Sequence, residues 1–497
     1  RTVFNTTTIG GNITLGDATN TGVLTFDTAV GLTGGTRTLT TATGSGATFS
    51  GVVSNGGITK LGAGTLTLSG AAANTYTGLT TASAGSLTLA KTSGNAIAGD
   101  LLVNGGNVDV TVAGTQIADT ATVEVSSGSF TIGTLINETV ATVKLTGGNI
   151  IGNNSTTSVL TATTAFDLQS GANTAILAGA AGATKTTGGT VSLGRAGTYS
   201  GGTTLSAGVL QIATGATTGS VGAVTSSAIG TGTLTLNGGT LSSGSTASRT
   251  ILNAVTVGGN VTLGDTTNTG TVIFSADADL GGVTRTLTTA SGSGSTFSGS
   301  ITNGNITKEG AGTLVLSGNS STVAVTSNAG TLAGIGTVGT TTVSTGNLAI
   351  GGFNGSLGTM NFSSLSLGST TSFIYQMTGG LAPIAGSADL GYVSGALAIN
   401  TSSILDLVEL GTYTVGNKFT LFAYDGALTG NFNGLANNTT FLDDLSNSWQ
   451  IKYDDSTAGL NGGTGANYVT ISAIPEPRAA LLGGLGVLAL LRRRRNS

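Results

Sequence analysis

The 497-residue chain has no cysteine, no histidine, 3 prolines, one tryptophan and 8% charged residues. Without cysteine there is no disulfide framework, no thiolate nucleophile and no cysteine-ligated metal. Without histidine there is no Ser-His-Asp triad, no imidazole general base and no histidine-bound zinc. Together these absences remove most hydrolase mechanisms, and no cofactor is expected. Charge is scarce beside the roughly one quarter of residues usual in a soluble domain. Long apolar runs are nevertheless absent until the last 20 residues; before them Val, Ile, Leu and Phe are interleaved with Thr, Ser and Gly. Few prolines and few charges are also the opposite of the disordered signature. The net charge of −4 conceals an asymmetry: the final 23 residues hold five Arg and one Glu, which leaves 12 basic against 20 acidic groups elsewhere. An acidic body has no electrostatic footprint for nucleic acid, so no nucleic-acid partner is expected.

What is present is glycine, 85 of it, and a repeat. GGNITLGDATNTGVLTF begins at Gly10, TRTLTTATGSGATFSG follows, and ITKLGAGTLTLSG ends at Gly70. GGNVTLGDTTNTGTVIF begins at Gly258, followed by TRTLTTASGSGSTFSG and by ITKEGAGTLVLSG, which ends at Gly318. The offset is 248 residues throughout (258 − 10), without a gap, and about two thirds of the positions are identical. A fixed-offset repeat of this length indicates a repeat architecture. Arg1-Thr2 also aligns with Arg249-Thr250, so the chain is expected to begin inside a repeat, with more sequence and a targeting signal ahead of it.

Residues 1–356 read as short strands separated by Gly, Asn or Ser turns at roughly ten-residue spacing. In Thr65-Leu66-Thr67-Leu68 the alternation places both leucines on one face and both threonines on the other. No sustained helical period occurs in this region. A sandwich series and a parallel β-solenoid both accommodate many short strands. Near-uniform turn spacing, low charge and small corner residues favour the solenoid, in which each rung buries its apolar face against its neighbours. Phe26 and Phe274, with Phe49 and Phe297, recur between the copies and are expected inside.

GAGTLTLSGAAANTYTGLTTASAGSLTLA (62–90), AGTYSGGTTLSAGVLQI (196–212) and GTGTLTLNGGTL (230–241) resemble the autotransporter-associated β-strand repeat. The resemblance covers most of residues 1–350 and implies a right-handed parallel β-helix on the cell exterior, but no activity. The copy after Gly318, SGNSSTVAVTSNAGTL, lacks NTYTGG and departs from the pattern. From about Leu357 aromatics become denser and acidic residues come in pairs; residues 357–474 read as a capping β region that covers the exposed strand edge.

The tail, 475–497, carries Pro475, Glu476 and Pro477, then Arg478, an apolar run over 479–491, and Arg492, Arg493, Arg494 and Arg495. Pro-x-Pro is an extended spacer open to a processing enzyme. The 13 residues of the run, expected as a short hydrophobic helix, fall below the roughly 20 needed to span a bilayer. The four arginines would remain cytoplasmic and leave the solenoid outside. Motif, short span and basic stub resemble the PEP-CTERM sorting signal of Gram-negative, exopolysaccharide-producing bacteria. That resemblance implies transient inner-membrane insertion through 479–491, an exosortase-type processing partner and release towards the cell surface. With an arginine stub rather than alternating ten-residue strands after the solenoid, self-export through a membrane barrel is not expected.

Carboxylate pairs are the candidate chemistry: Asp277 with Asp279, Asp443 with Asp444, Asp454 with Asp455. The first pair is replaced by Ala29 and Gly31 in the other copy, and the adjacent pairs suit turns and solvated edges. No catalytic, cofactor or metal residue is therefore assigned. Gly411 to Lys418 falls short of a phosphate loop, with Phe419 where Ser or Thr is needed. Lys60 and Lys308, like Arg37 and Arg285, recur and are expected as exposed, solvated charges. The expected function is a non-enzymatic structural or adhesive protein of the cell surface, with exopolysaccharide or like subunits as partners. The alternatives are a surface polysaccharide-processing enzyme and a self-assembling fibril subunit.

Overall fold

A computed structural model describes residues 1–153, 157–351, 356–378, 386–411 and 413–475. Among them there are strands and turns but no helix. The expected hydrophobic helix over 479–491 lies outside the described residues. The chain divides into two compact units, Arg1–Ala276 and Asp277–Ser497.

Unit 1 is a parallel β-solenoid. Thr65–Gly70 pairs in parallel with Gly46–Phe49 on one side and with Ser86–Lys91 on the other. A second track runs through Thr36–Thr41, Gly57–Leu61, Thr80–Ala82 and Leu101–Val110, and a third through Thr7–Thr8, Val30–Gly31 and Val53–Ser54. The alternation expected at Thr65–Leu68 is present: both leucines are fully buried while the threonines face outward. Leu66 stacks between Ala47 and Leu87, and Leu68 between Phe49 and Leu89. Each buried leucine contributes roughly 2 kcal/mol of hydrophobic stabilisation, and stacking repeats that gain at every rung. Phe26, Phe49, Phe274 and Phe297 are all buried, as expected, and Phe26 meets Phe49 edge to face at 5.1 Å.

Corners are tight. Gly62 has φ +75°, and a Cβ there would lie 2.2 Å from the Thr41 carbonyl oxygen; at the equivalent Gly310, φ is +79° and the distance 2.3 Å from Thr289 O. Only glycine fits such a corner without strain.

Unit 2 runs in parallel register from Ala278–Thr289 through Ile301–Glu309, Val325–Ser327, Thr337–Ile350 and Thr359–Met377 to Leu397–Ile399 and Leu428–Gly430. Among the described residues its antiparallel ladders lie near the end. Asn467–Ala473 lies between Lys418–Tyr424 and Ser448–Asp455, which in turn pairs with Thr440–Leu442. Aromatic residues pack against this sheet: Phe373 of Thr359–Met377 stacks on Phe422 at 4.5 Å, and Tyr413 meets Trp449 at 5.3 Å.

Candidate functional site

The outward side chains of unit 1 form ladders that rung length had scattered in the sequence. Thr2, Thr25, Thr48, Thr67 and Thr88 are successive register partners, although they are 23, 23, 19 and 21 residues apart (25 − 2, 48 − 25, 67 − 48, 88 − 67). Paired strands lie about 4.8 Å apart, so the five hydroxyls repeat along a line of roughly 19 Å. On the second track Thr38, Thr59 and Thr81 stack, then Leu102, Glu124, Lys144 and Asp167, then Thr184, Thr204, Thr235 and Thr256. Glu124, Lys144 and Asp167 alternate in sign within that ladder, an arrangement that favours their register. Beside them an open groove of about 220 Å³ is lined by Leu79, Asp100, Leu101, Leu102, Thr122, Glu124 and Lys144. The Asp100 carboxylate accepts a hydrogen bond from the Thr122 N–H at 2.7 Å, so it caps a strand as well as facing the groove.

The recurrent lysines overturn the expectation of solvated charge. Lys60 and Lys308 are both fully buried. The Lys60 ammonium donates to the carbonyls of Leu61, Gly62 and Ala84 at 2.8–3.0 Å. Lys308 donates to Glu309 O, Gly310 O and Ala329 O and to Thr289 Oγ1, at 2.7–3.2 Å. Burial pushes each ammonium down to about 8, and carbonyl oxygens take the place of water around it, so both remain largely charged at neutral pH. Arg37 and Arg285 are half-buried, and each donates Nε to the carbonyl five residues earlier, Leu32 at 2.9 Å and Leu280 at 3.0 Å. These four cations staple corners. Other buried polar groups bridge rungs where the third track lacks its own ladder. Asn74 accepts from Val53 N and donates to Ala96 O, while both Glu138 oxygens accept from the N–H groups of Gln116 and Ile117. Burial pushes Glu138 up to about 7.

The carboxylate pairs resolve into structural groups. Asp277 and Asp279 do share the outer face, but Asp277 accepts from Ser300 N and Asp279 from Gly281 N and Asn303 Nδ2. Asp455 is buried; burial alone would raise its pKa, but hydrogen bonds from Lys418, Thr470, Thr457 and Lys452 hold it well below the usual carboxylate range. Its neighbour Asp454 accepts from Tyr424 Oη. Lys418 is thereby committed to Asp455 at 2.9 Å rather than to a phosphate loop. Asp444 is exposed, and the partner of Asp443 is instead Glu409, 34 residues earlier (443 − 409): the Trp449 indole N–H points at both carboxyls, 3.2 Å from Glu409 Oε1 and 2.6 Å from Asp443 Oδ2. Burial, then the adjoining Asp443, push Glu409 up to about 8. Among the described residues no cluster of three or more acidic groups is placed to hold a metal ion. Of the sorting motif, Pro475 is exposed just beyond the last strand. Glu476, Pro477 and Arg492–Arg495 lie outside the described residues.

Residues 58–89 and 184–212 match the family model of the passenger-associated transport repeat. The match is confined to these two segments. Each matched copy has a buried lysine within its first three residues, Lys60 or Lys185, and contains a fully buried tyrosine. The tyrosine hydroxyl meets a threonine hydroxyl four residues on, Tyr76 with Thr80 at 2.9 Å and Tyr199 with Thr203 at 2.7 Å. The divergent copy after Gly318 has no tyrosine, and Ser320 Oγ accepts there from Ile301 N as Asn74 does from Val53 N. The solved structure of the Hap adhesin of Haemophilus influenzae aligns over 90% of this chain at 13% identity, with a TM-score of 0.25. The chain spans 61% of that structure. No curated protein sequence matches it.

Proposed function

We propose that the chain is a non-enzymatic structural or adhesive protein of the cell surface. In this proposal it is exported and processed through the PEP-CTERM-type tail and associates with exopolysaccharide. The observation that carries the adhesive role is the in-register threonine ladder of Thr2, Thr25, Thr48, Thr67 and Thr88. Each hydroxyl both donates and accepts, and a row of individually weak contacts to one long polymer gains avidity because every contact after the first is intramolecular. The passenger-associated transport repeats support an external location, and an exposed Pro475 supports access by a processing enzyme.

Replacing Thr25, Thr48, Thr67 and Thr88 together with valine tests the role, because valine keeps the β-branched shape and removes the hydroxyls. The variant is expected to lose cosedimentation with exopolysaccharide while its thermal unfolding is unchanged. Equal retention of both proteins would overturn the proposal. The groove beside Glu124 and Lys144 favours a second reading, a surface enzyme acting on polysaccharide. Release of new reducing ends or unsaturated products in the same incubation would establish that reading instead.

A further inference from the structure

We propose that the closing sheet of unit 2 rests on the membrane surface while the tail is inserted, an inference that rests on the membrane-insertion reading of 479–491. Leu442, on the edge strand of that sheet, and Leu410, Val415 and Leu445, in the loops and turns beside it, are 51–67% exposed. All four belong to segments gathered around the buried Trp449. Leu410 follows Glu409, whose Oε1 accepts from the indole N–H. Leu442 is the register partner of Ser448, and the Leu445 N–H caps onto Asp443, the other acceptor of that indole. Val415 precedes Gly416, whose N–H donates to Ala473 O at 2.8 Å, and Ala473 is the register partner of Trp449.

The chain leaves the sheet at the same place. The Ile474 N–H donates to Ser448 O at 2.9 Å, and Pro475 is exposed next to it. The apolar run begins at 479, and four residues of extended chain reach at most about 14 Å. A tail inserted from 479 onward therefore holds this face within about one strand-length of the lipid headgroups. Segments 404–415 and 440–449 contain no Lys or Arg and carry Asp406 and the exposed Asp444, so electrostatic attraction to anionic lipid is not available to them. Glu409 is pushed up to about 8 by burial and by Asp443, so at neutral pH the pair carries a single negative charge. What remains is apolar contact, weak alone and effective only when the tail supplies proximity.

The chain has no cysteine, so one label can be placed at one introduced site. The experiment attaches a polarity-sensitive fluorophore to the full chain at Leu445→Cys and, as a comparison, at Val221→Cys, an apolar position on unit 1 that is 54% exposed against 67% at Leu445. Both proteins are mixed with phosphatidylethanolamine and phosphatidylglycerol vesicles carrying a headgroup-proximal spin-label quencher, and vesicle binding is followed by flotation. The expected result is flotation of both proteins with several-fold stronger quenching at 445 than at 221. Flotation with equal quenching at the two sites would overturn the membrane contact and leave the insertion reading standing. A full chain that does not float would overturn both.

Discussion

Replacing Lys308 by methionine separates a buried staple from a solvated charge. Methionine retains the flexible aliphatic stem and deletes the ammonium, so the core is not emptied. Three main-chain carbonyls, of Glu309, Gly310 and Ala329, lose their shared donor, as does Thr289 Oγ1. An orphaned buried acceptor costs about 1–3 kcal/mol. Against this stands the relief of burying an ammonium, the same penalty that pushes its pKa down to about 8. With the offset included, the net loss is about 3 kcal/mol, because three acceptors outweigh one partly compensated charge. The assay is amide hydrogen exchange followed by mass spectrometry over 305–335, since a stacked fold opens locally and a global midpoint would dilute the effect. A local loss of that size accelerates exchange roughly 10²-fold. Lys452→Met is the comparison: Lys452 is about half exposed, in an ion pair with Asp455 at 3.2 Å, and its removal should change little. Exchange in Lys308→Met that matched the Lys452→Met protein would refute the staple.

Two further outcomes follow from the same interior. Glu138 has a folded pKa of about 7 against an unfolded value near 4.5, so its stabilising protonated form is lost as pH rises through that window. Unit 1 should weaken by roughly 3 kcal/mol between pH 4.5 and 7.5, and Glu138→Gln should flatten that part of a pH series of thermal melts. Gly62→Ala forces a Cβ to 2.2 Å from Thr41 O at positive φ and should lower the unfolding temperature far more than Gly34→Ala, where φ is +80° but nothing lies within 4 Å. Equal effects of the two substitutions would remove the argument from close approach.

The parallel stack was legible because its signal is local. Alternation in Thr65-Leu66-Thr67-Leu68 and the 248-residue repeat both survive without knowledge of rung length. The lysine staples were half legible: in Ile58-Thr59-Lys60 the same alternation puts Lys60 on the buried side with Ile58, whereas its charge argues for solvent. The threonine ladders were not legible, because rungs of 19 to 23 residues hide which threonines become neighbours. Nor was the Glu409–Asp443 pair, which depends on where a hairpin returns rather than on spacing; Asp444, the sequence neighbour of Asp443, is exposed. Asn74 and Ser320 perform one task with different residues, so a residue-by-residue reading of the divergent copy could register only a loss.

The most direct test of a sorted surface protein is the intact mass of the native chain recovered from cell surface and culture medium. The account predicts a chain ending near Pro475 to Pro477, found outside the cell and free of the apolar run and the arginine stub. A chain that still ends at Ser497 and remains in the membrane fraction would contradict processing and release.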